Sequence, residues 1–395
     1  MLEFIFEEAK KNMEEIISVR RQIHNNPEVG FNINKTYELV YNKLIEYGLK
    51  PIPCGKKGMF CDIGSKKDKV LLLRADMDAL EMKENTKLNF KSVNGNMHSC
   101  GHDIHTSILL GVAKILSKNK DKLIGTIRLM FQPAEEILAG ALDMINNGVL
   151  NNPKVTNAIM IHVSLATNIN TGYITLPKSG VIAPGCANFT INAIGKGCHG
   201  AMPNLGLDPI NALSHILLAI QSLPDKEFSL NDQLIITCGV FNGGNSNNTI
   251  PNNAYIKGTL RSYDDECLIF AKKRITEISK YIGKAFNIKV NTKFTSQCPT
   301  LINDENLNNK IEKILKPIYK DKLIDINNAK IKSTGSEDFS YISHSVPSLM
   351  ISISACGIDE GYKYPLHNQC AVFNEEVLYD GIVMLTHIAF SYFQN

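Results

Sequence analysis

The sequence predicts an α/β protein in which a large domain, built on a mostly parallel central sheet, is interrupted by a smaller ferredoxin-like insertion. Three observations carry this expectation. Short apolar runs, among them Val70–Leu73, Thr126–Phe131 and Ala158–Ile161, alternate with amphipathic stretches, as buried parallel strands alternate with their crossover helices. Each of these runs gives way to chemically active residues: Asp76 and Asp78, then Gln132, Glu135 and Glu136, then His162. Between "TLPKSGVIAPGCA" and "TSQCPTLINDEN" the texture changes to a β-α-β-β-α-β order, that of a ferredoxin-like unit.

The elements follow in chain order. Apolar residues at helical spacing predict helices over Leu2–His24 and Asn34–Tyr47, the second stopped by Gly48 and Pro51. Helices are also expected over Thr106–Ser117 and Ala134–Asn146, and "PSLMISISA" reads as a further buried strand. In the insertion the expected order is strand 188–194, helix 209–223, strands 234–241 and 254–263, helix 265–286 and strand 288–294. This divides the chain into 1–183, a lid of 184–296, and 297–395.

Composition excludes several functions. The 42 Lys and Arg against 39 Asp and Glu give a net charge of +3 with no basic cluster, so neither nucleic acid nor a membrane surface is an expected partner. No apolar run approaches the roughly 20 residues of a membrane helix. The first residues, "MLEFIFEEAKKNMEEI", lack the form of a secretory signal. Ten dispersed cysteines without a CxxC pair fit buried free thiols and a cytoplasmic setting.

Ligands of open sheets bind beyond the carboxyl ends of the strands, where the polar residues above fall. "MHSCGHDIH" places Cys100 and His102 two apart, able to face one way on an extended segment, and thiolate with imidazole suits a borderline divalent ion. Alone, the stretch reads equally well as a polar loop with capping histidines. In "FQPAEE", Pro133 suits the first turn of a helix, which would set Glu135 and Glu136 at a helix N-terminus. One could ligate while the other faces a reacting water. His162 and His367 each read individually as ordinary histidines. Together these residues suggest hydrolysis at a two-metal site, where a water is acidified and a free carboxylate moves its proton.

The ordered set "RADMDAL", "MHSCGHDIH", "FQPAEE", "IHV", "GKGCHGAMP", "NTIP", "GTLR", "GSEDF" and "LHN" resembles the two-metal aminoacylase and carboxypeptidase family. The branch is that of hippurate hydrolases, N-acyl-amino-acid amidohydrolases and indoleacetyl-amino-acid hydrolases, and "RxxHxxPE" at Arg21, His24, Pro27 and Glu28 fits it as well. The resemblance implies two divalent ions (zinc, manganese, cobalt or nickel) bridged by Cys100, with His102 and His162 completing one site and Glu136 and His367 the other. It implies Glu135 as general base and acid, and Asp78 as a residue orienting the site. A homodimer would form through the lid, with His199 steadying the oxyanion in the partner's site and Asn248 and Arg261 holding a substrate carboxylate.

The implied activity is removal of an N-acyl group from a small amino-acid derivative with a free α-carboxylate. Alternatives are a biosynthetic N-acetyl-diaminopimelate deacetylase, a broad dipeptide carboxypeptidase, and a non-catalytic protein binding such derivatives. Glu81, Cys198 and Asn204 depart from the usual pattern without removing an implied ligand or the base.

Overall fold

The computed structural model describes residues 2–325 and 333–394. The chain forms two compact units. The larger runs to Ile182 and resumes at Ile302 and again at Tyr341; the smaller comprises Ala183–Leu301 and a short return segment ending at Ser340.

The larger unit opens with α1 (Leu2–Asn25) and α2 (Asn34–Glu46), then β1 (Ile52–Cys54), β2 (Gly58–Ile63) and β3 (Val70–Asp76). After α3 (His102–Lys118) come β4 (Thr126–Gln132), α4 (Gly140–Asn146), β5 (Asn157–Thr167) and β6 (Ile174–Leu176). The smaller unit contributes β7 (Gly185–Ile194), α5 (Pro209–Gln221), β8 (Leu234–Gly243), β9 (Asn253–Ser262), α6 (Asp265–Ala285) and β10 (Lys289–Cys298). The larger unit is completed by α7 (Glu305–Tyr319), β11 (Leu323–Asp325), β12 (Ser348–Gly357) and α8 (Val377–Ser391).

Its eight-stranded sheet has the order β1-β2-β4-β3-β5-β12-β6-β11. The four central strands, β4, β3, β5 and β12, are mutually parallel; on one flank β1 and β2 pair antiparallel, and on the other β6 pairs antiparallel with β12 and parallel with β11. Every residue of β3 and β4 is buried, which is why both appear in the sequence as largely apolar runs rather than strict alternations. The buried arginine of β4 is satisfied: Arg128 donates to both oxygens of Asp62 at 2.7 Å and to the Val149 and Asn151 carbonyls. Helices α1, α3 and α8 pack on one another and supply much of the core, with Ile16, Ile104, Ile108, Ile382 and Leu385 buried.

The smaller unit is a four-stranded antiparallel sheet of order β8-β9-β7-β10, the strand order of the ferredoxin-like arrangement expected from the sequence. Phe189, Ile191, Ala193, Ile256 and Leu260 alternate inward from the sheet and pack with Leu213, Ile216, Ala271 and Ile275 of the two helices. Each helix starts on an aspartate: Asp208 accepts from the Ile210 and Asn211 N–H groups, and Asp264 from that of Cys267. Such caps satisfy donors the helix leaves open. Among the described residues, no helix is long and apolar enough to cross a membrane.

Candidate metal centre

The site is assembled at the carboxyl ends of the central strands, from three connecting segments and one strand interior. The first segment follows β3. Asp78 lies two residues beyond its end and is fully buried. Its backbone carbonyl accepts the Nδ1 proton of His102 at 2.8 Å, fixing the ring so that Nε2 faces the site. Its carboxylate accepts the N–H groups of Glu135 at 3.0 Å and Glu136 at 3.3 Å. One aspartate therefore orients residues from two segments.

That arrangement corrects a sequence expectation. Glu135 and Glu136 do not begin a helix; α4 starts only at Gly140, and the glutamates occupy a turn. Ala134 has φ +56°, outside the helical region, and a side chain at Gly140 would meet the Pro133 carbonyl oxygen at 1.6 Å. The tight loop brings the strand end against the helix start, and the Asp78 carboxylate accepts the two N–H groups.

Cys100 and His102 are not alternate positions on an extended segment either. Gly101 between them is left-handed at φ +87°, and α3 begins at His102 rather than at Thr106. A Cβ at Gly101 would lie 2.4 Å from Val163 Cγ2, so the hinge needs glycine both for its backbone and for the space. His162, expected at a strand terminus, lies within β5, which continues to Thr167. Its Nδ1 donates to the Val163 carbonyl at 2.8 Å. His367 has φ +61°, and its N–H donates to the Ser99 carbonyl at 3.1 Å, which ties its loop to the Cys100 loop.

The side chains converge on Cys100 Sγ, with His367 Nε2 at 3.2 Å and His162 Nε2 at 3.6 Å. His102 Nε2 lies 3.8 Å from Glu136 Oε1 and 4.0 Å from Glu135 Oε2, and His367 Nε2 lies 3.7 Å from Glu136 Oε1. Donor atoms thus gather as Cys100–His102–His162 and as Cys100–Glu136–His367, each set within 4.8 Å, with the cysteine common to both. His102, Glu135 and Glu136 form an overlapping set of the same dimension.

The donor set fits cations. Among the described residues, His102 Nε2 and Glu136 Oε1 are buried without a hydrogen-bond partner, a costly state for polar atoms unless something else engages them. Burial pushes the Cys100 thiol well up and, with Asp78 and Asp76 nearby, raises Glu136 to about 7 against the pull of His102. Positive charge placed among them would reverse both penalties. Burial also depresses His162 to about 3 and lowers His367, leaving neutral imidazoles whose lone pairs can ligate.

Two residues to which the sequence assigned no role in the site, His105 and Asp76, support this group. His105 donates from Nδ1 to Asp76 Oδ1 at 2.7 Å and accepts the Val163 N–H on Nε2 at 2.9 Å. Asp76 also accepts from Arg74 Nη1 at 2.6 Å, and its Oδ2 stands 3.6 Å from His102 Nε2. The signal for them was present: His105 is one turn beyond His102 on one helix, and Asp76 is the last residue of β3.

The other expected residues lie in the smaller unit. Thr249 pairs with His199 in a two-stranded ladder, and the Gly200 N–H donates to the Asn248 carbonyl, so His199 and Asn248 are neighbours. Both are exposed. His199 Nδ1 accepts the Ala201 N–H at 3.1 Å, which leaves the proton on Nε2. Arg261 is on β9, partly buried, and donates to Thr259 Oγ1 at 3.2 Å.

Comparison with known proteins agrees with this architecture. N-acetyl-L-cysteine deacetylase of Bacillus subtilis (strain 168) is 37% identical over 336 residues, 84% of this chain and 78% of that protein. Hippurate hydrolase of Campylobacter jejuni is 32% identical over 370 residues, covering 92% and 93%. A crystal structure of a dinuclear metal-binding peptidase of the M20 family from Bacillus subtilis superposes with a TM-score of 0.78 at 26% identity, over 98% of this chain and 99% of that one. Residues 72–391 match the model of peptidase family M20/M25/M40, and the chain belongs to that family.

Proposed function

We propose that this chain is a metal-dependent amidohydrolase that removes an N-acyl group, such as acetyl or benzoyl, from an amino acid with a free α-carboxylate. The observation that carries the reading is the pair of three-residue donor sets sharing Cys100. In it, Cys100, His102 and His162 would hold one divalent ion, and Cys100, Glu136 and His367 the other. When bound, the ions supply Lewis acidity toward the amide carbonyl and lower the pKa of water.

The remaining work falls to the chain. Glu135, 6% exposed and held through its backbone by Asp78, takes the proton from the attacking water on a carboxylate oxygen and returns it to the leaving nitrogen. In a homodimer, His199 presents Nε2–H to the oxyanion that develops in the partner's site. Arg261 and Asn248 hold the substrate carboxylate; Asn248 Oδ1 already accepts from Ser246 Oγ at 2.6 Å, leaving its amide N–H groups for the substrate. The deacetylase and hippurate hydrolase relatives support an acyl-amino-acid substrate.

A homodimer through the smaller unit belongs to the same reading. The edge strand β8 carries exposed Ile235, Val240 and Phe241, and an open apolar edge invites a second strand. Ten free cysteines suit a reducing compartment, and we place the protein in the cytoplasm.

The test is hydrolysis of N-acetyl and N-benzoyl amino acids, N-acetyl-diaminopimelate and dipeptides by protein stripped of metal and reloaded with zinc, manganese, cobalt or nickel, reading release of free amine. Metal-dependent cleavage of acyl amino acids above dipeptides is expected. A fully loaded protein inert on the whole panel would overturn the proposal. Cys100→Ser gives an independent check: elemental analysis should find fewer than two ions per chain, and an unchanged content of two would mean the thiolate is not shared.

A further inference from the structure

A second cluster of reactive side chains lies wholly within the smaller unit and has no part in the proposed chemistry. Cys186 on β7 and Cys298 on β10 are register partners on adjacent antiparallel strands, 7% and 4% exposed, with their sulfurs 3.9 Å apart. Directly opposed residues on such strands have Cα atoms about 4.5–5.5 Å apart, inside the span a disulfide bridges. On its other side Cys186 is the register partner of Arg261 on β9.

We propose that Cys186 and Cys298 form a reversible dithiol–disulfide site, oxidised by small-molecule disulfides of the glutathione class. Cys186 is the entering nucleophile. Of the two it is the more exposed, and the Cys298 sulfur at 3.9 Å together with the Arg261 charge on the adjoining strand favours its thiolate against burial. A nucleophilic thiolate beside a protonated thiol is the division of labour that exchange requires.

The Cys186 thiolate attacks one sulfur of the small disulfide, forming a mixed disulfide and releasing one thiolate. Cys298 then loses its proton to solvent, attacks the Cys186 sulfur and expels the second small thiolate. The protein loses two electrons and two protons, and the small disulfide becomes two thiols.

The position gives the bond a consequence. Cys186 lies near the start of the smaller unit at Ala183, and Cys298 near the end of its main segment at Leu301. Oxidation would clip the first and last strands of that unit at the points where the chain enters and leaves it. Transient bonds of this kind are compatible with a reducing compartment.

The experiment uses the full-length, metal-loaded protein equilibrated across ratios of oxidised to reduced glutathione, alkylated, and read by intact mass and peptide mapping. The expected result is loss of two hydrogens with the Cys186 and Cys298 peptides joined, reversed by dithiothreitol, together with slower hydrogen exchange at the paired ends of β7 and β10. Cys298→Ser should instead trap one glutathione on Cys186, and Cys186→Ser should leave Cys298 unmodified at the same ratio. Alkylation of both cysteines in the wild type at the most oxidising ratio, or a glutathione stranded on Cys186 with Cys298 intact, would overturn the proposal. The wild-type mapping decides the matter even if a serine variant fails to fold.

Discussion

Glu135→Gln is expected to keep two divalent ions per chain and to lower kcat by about 10²–10⁴-fold, the range that a positioned general base contributes. Glutamine preserves the shape of the side chain and leaves untouched the backbone N–H that donates to Asp78, so the turn should survive. What it removes is a carboxylate able to take a proton. Glu135 belongs to neither of the donor sets that share Cys100, which is why metal content should hold. Measured together, kcat and ion stoichiometry separate the roles: loss of both would make Glu135 a ligand, and undiminished turnover would remove it from the chemistry. Glu136→Gln should behave differently, because it strips a donor from the set containing His367 and should release metal.

The site was legible in the sequence to the extent that chemistry is written in residue type and strand position. Cys100, His102, Glu135, Glu136, His162 and His367 stand where α/β sheets place ligands, and their ordered motifs carry the family. Local conformation was less legible. Pro133 and an apolar period imply a helix from Ala134, yet the left-handed Ala134 and the contact at Gly140 delay it to Gly140. A left-handed alanine leaves no mark in composition. The left-handed Gly101 likewise changes how Cys100 and His102 relate without changing that they meet.

The motif "RxxHxxPE" contains Arg21, whereas the buried arginine of α1 is its neighbour Arg20. Arg21 is exposed and pairs with Glu375 at 2.6 Å, while Arg20 is buried with Asp103 at 2.8 Å. The buried face of α1 runs Ile16, Val19, Arg20, Ile23, His24. That is helical spacing, and it puts Arg20 and His24 one turn apart on the same side. Following the period rather than the motif selects Arg20.

That buried pair is the basis of the largest expected stability effect. Asp103→Ala should destabilise the larger unit by about 3–5 kcal/mol, the cost of leaving a buried charge without its partner. Asp103 Oδ2 faces Arg20 Nε and His24 Nδ1, both at 2.8 Å, and His24 Nε2 reaches Glu84 at 3.3 Å. Burial would raise the Asp103 carboxyl, but Arg20 and His24 hold it far below the usual range. Burial would lower His24, but Asp103 and Glu84 raise it.

The signs of these shifts set a pH window. A depressed carboxyl stabilises above its unfolded pKa of about 4 and loses that contribution as pH falls. A raised histidine stabilises fully below its unfolded pKa of about 6.5 and loses the contribution as pH climbs through the folded value. The wild-type advantage over Asp103→Ala, read from urea midpoints, should therefore peak between about pH 4 and 6.5 and shrink on both sides. A pH-independent difference would reduce Asp103 to a packing role. The double variant Arg20→Met, Asp103→Leu adds the discriminating case: with both charges gone and the volume refilled, it should be less destabilised than Asp103→Ala alone.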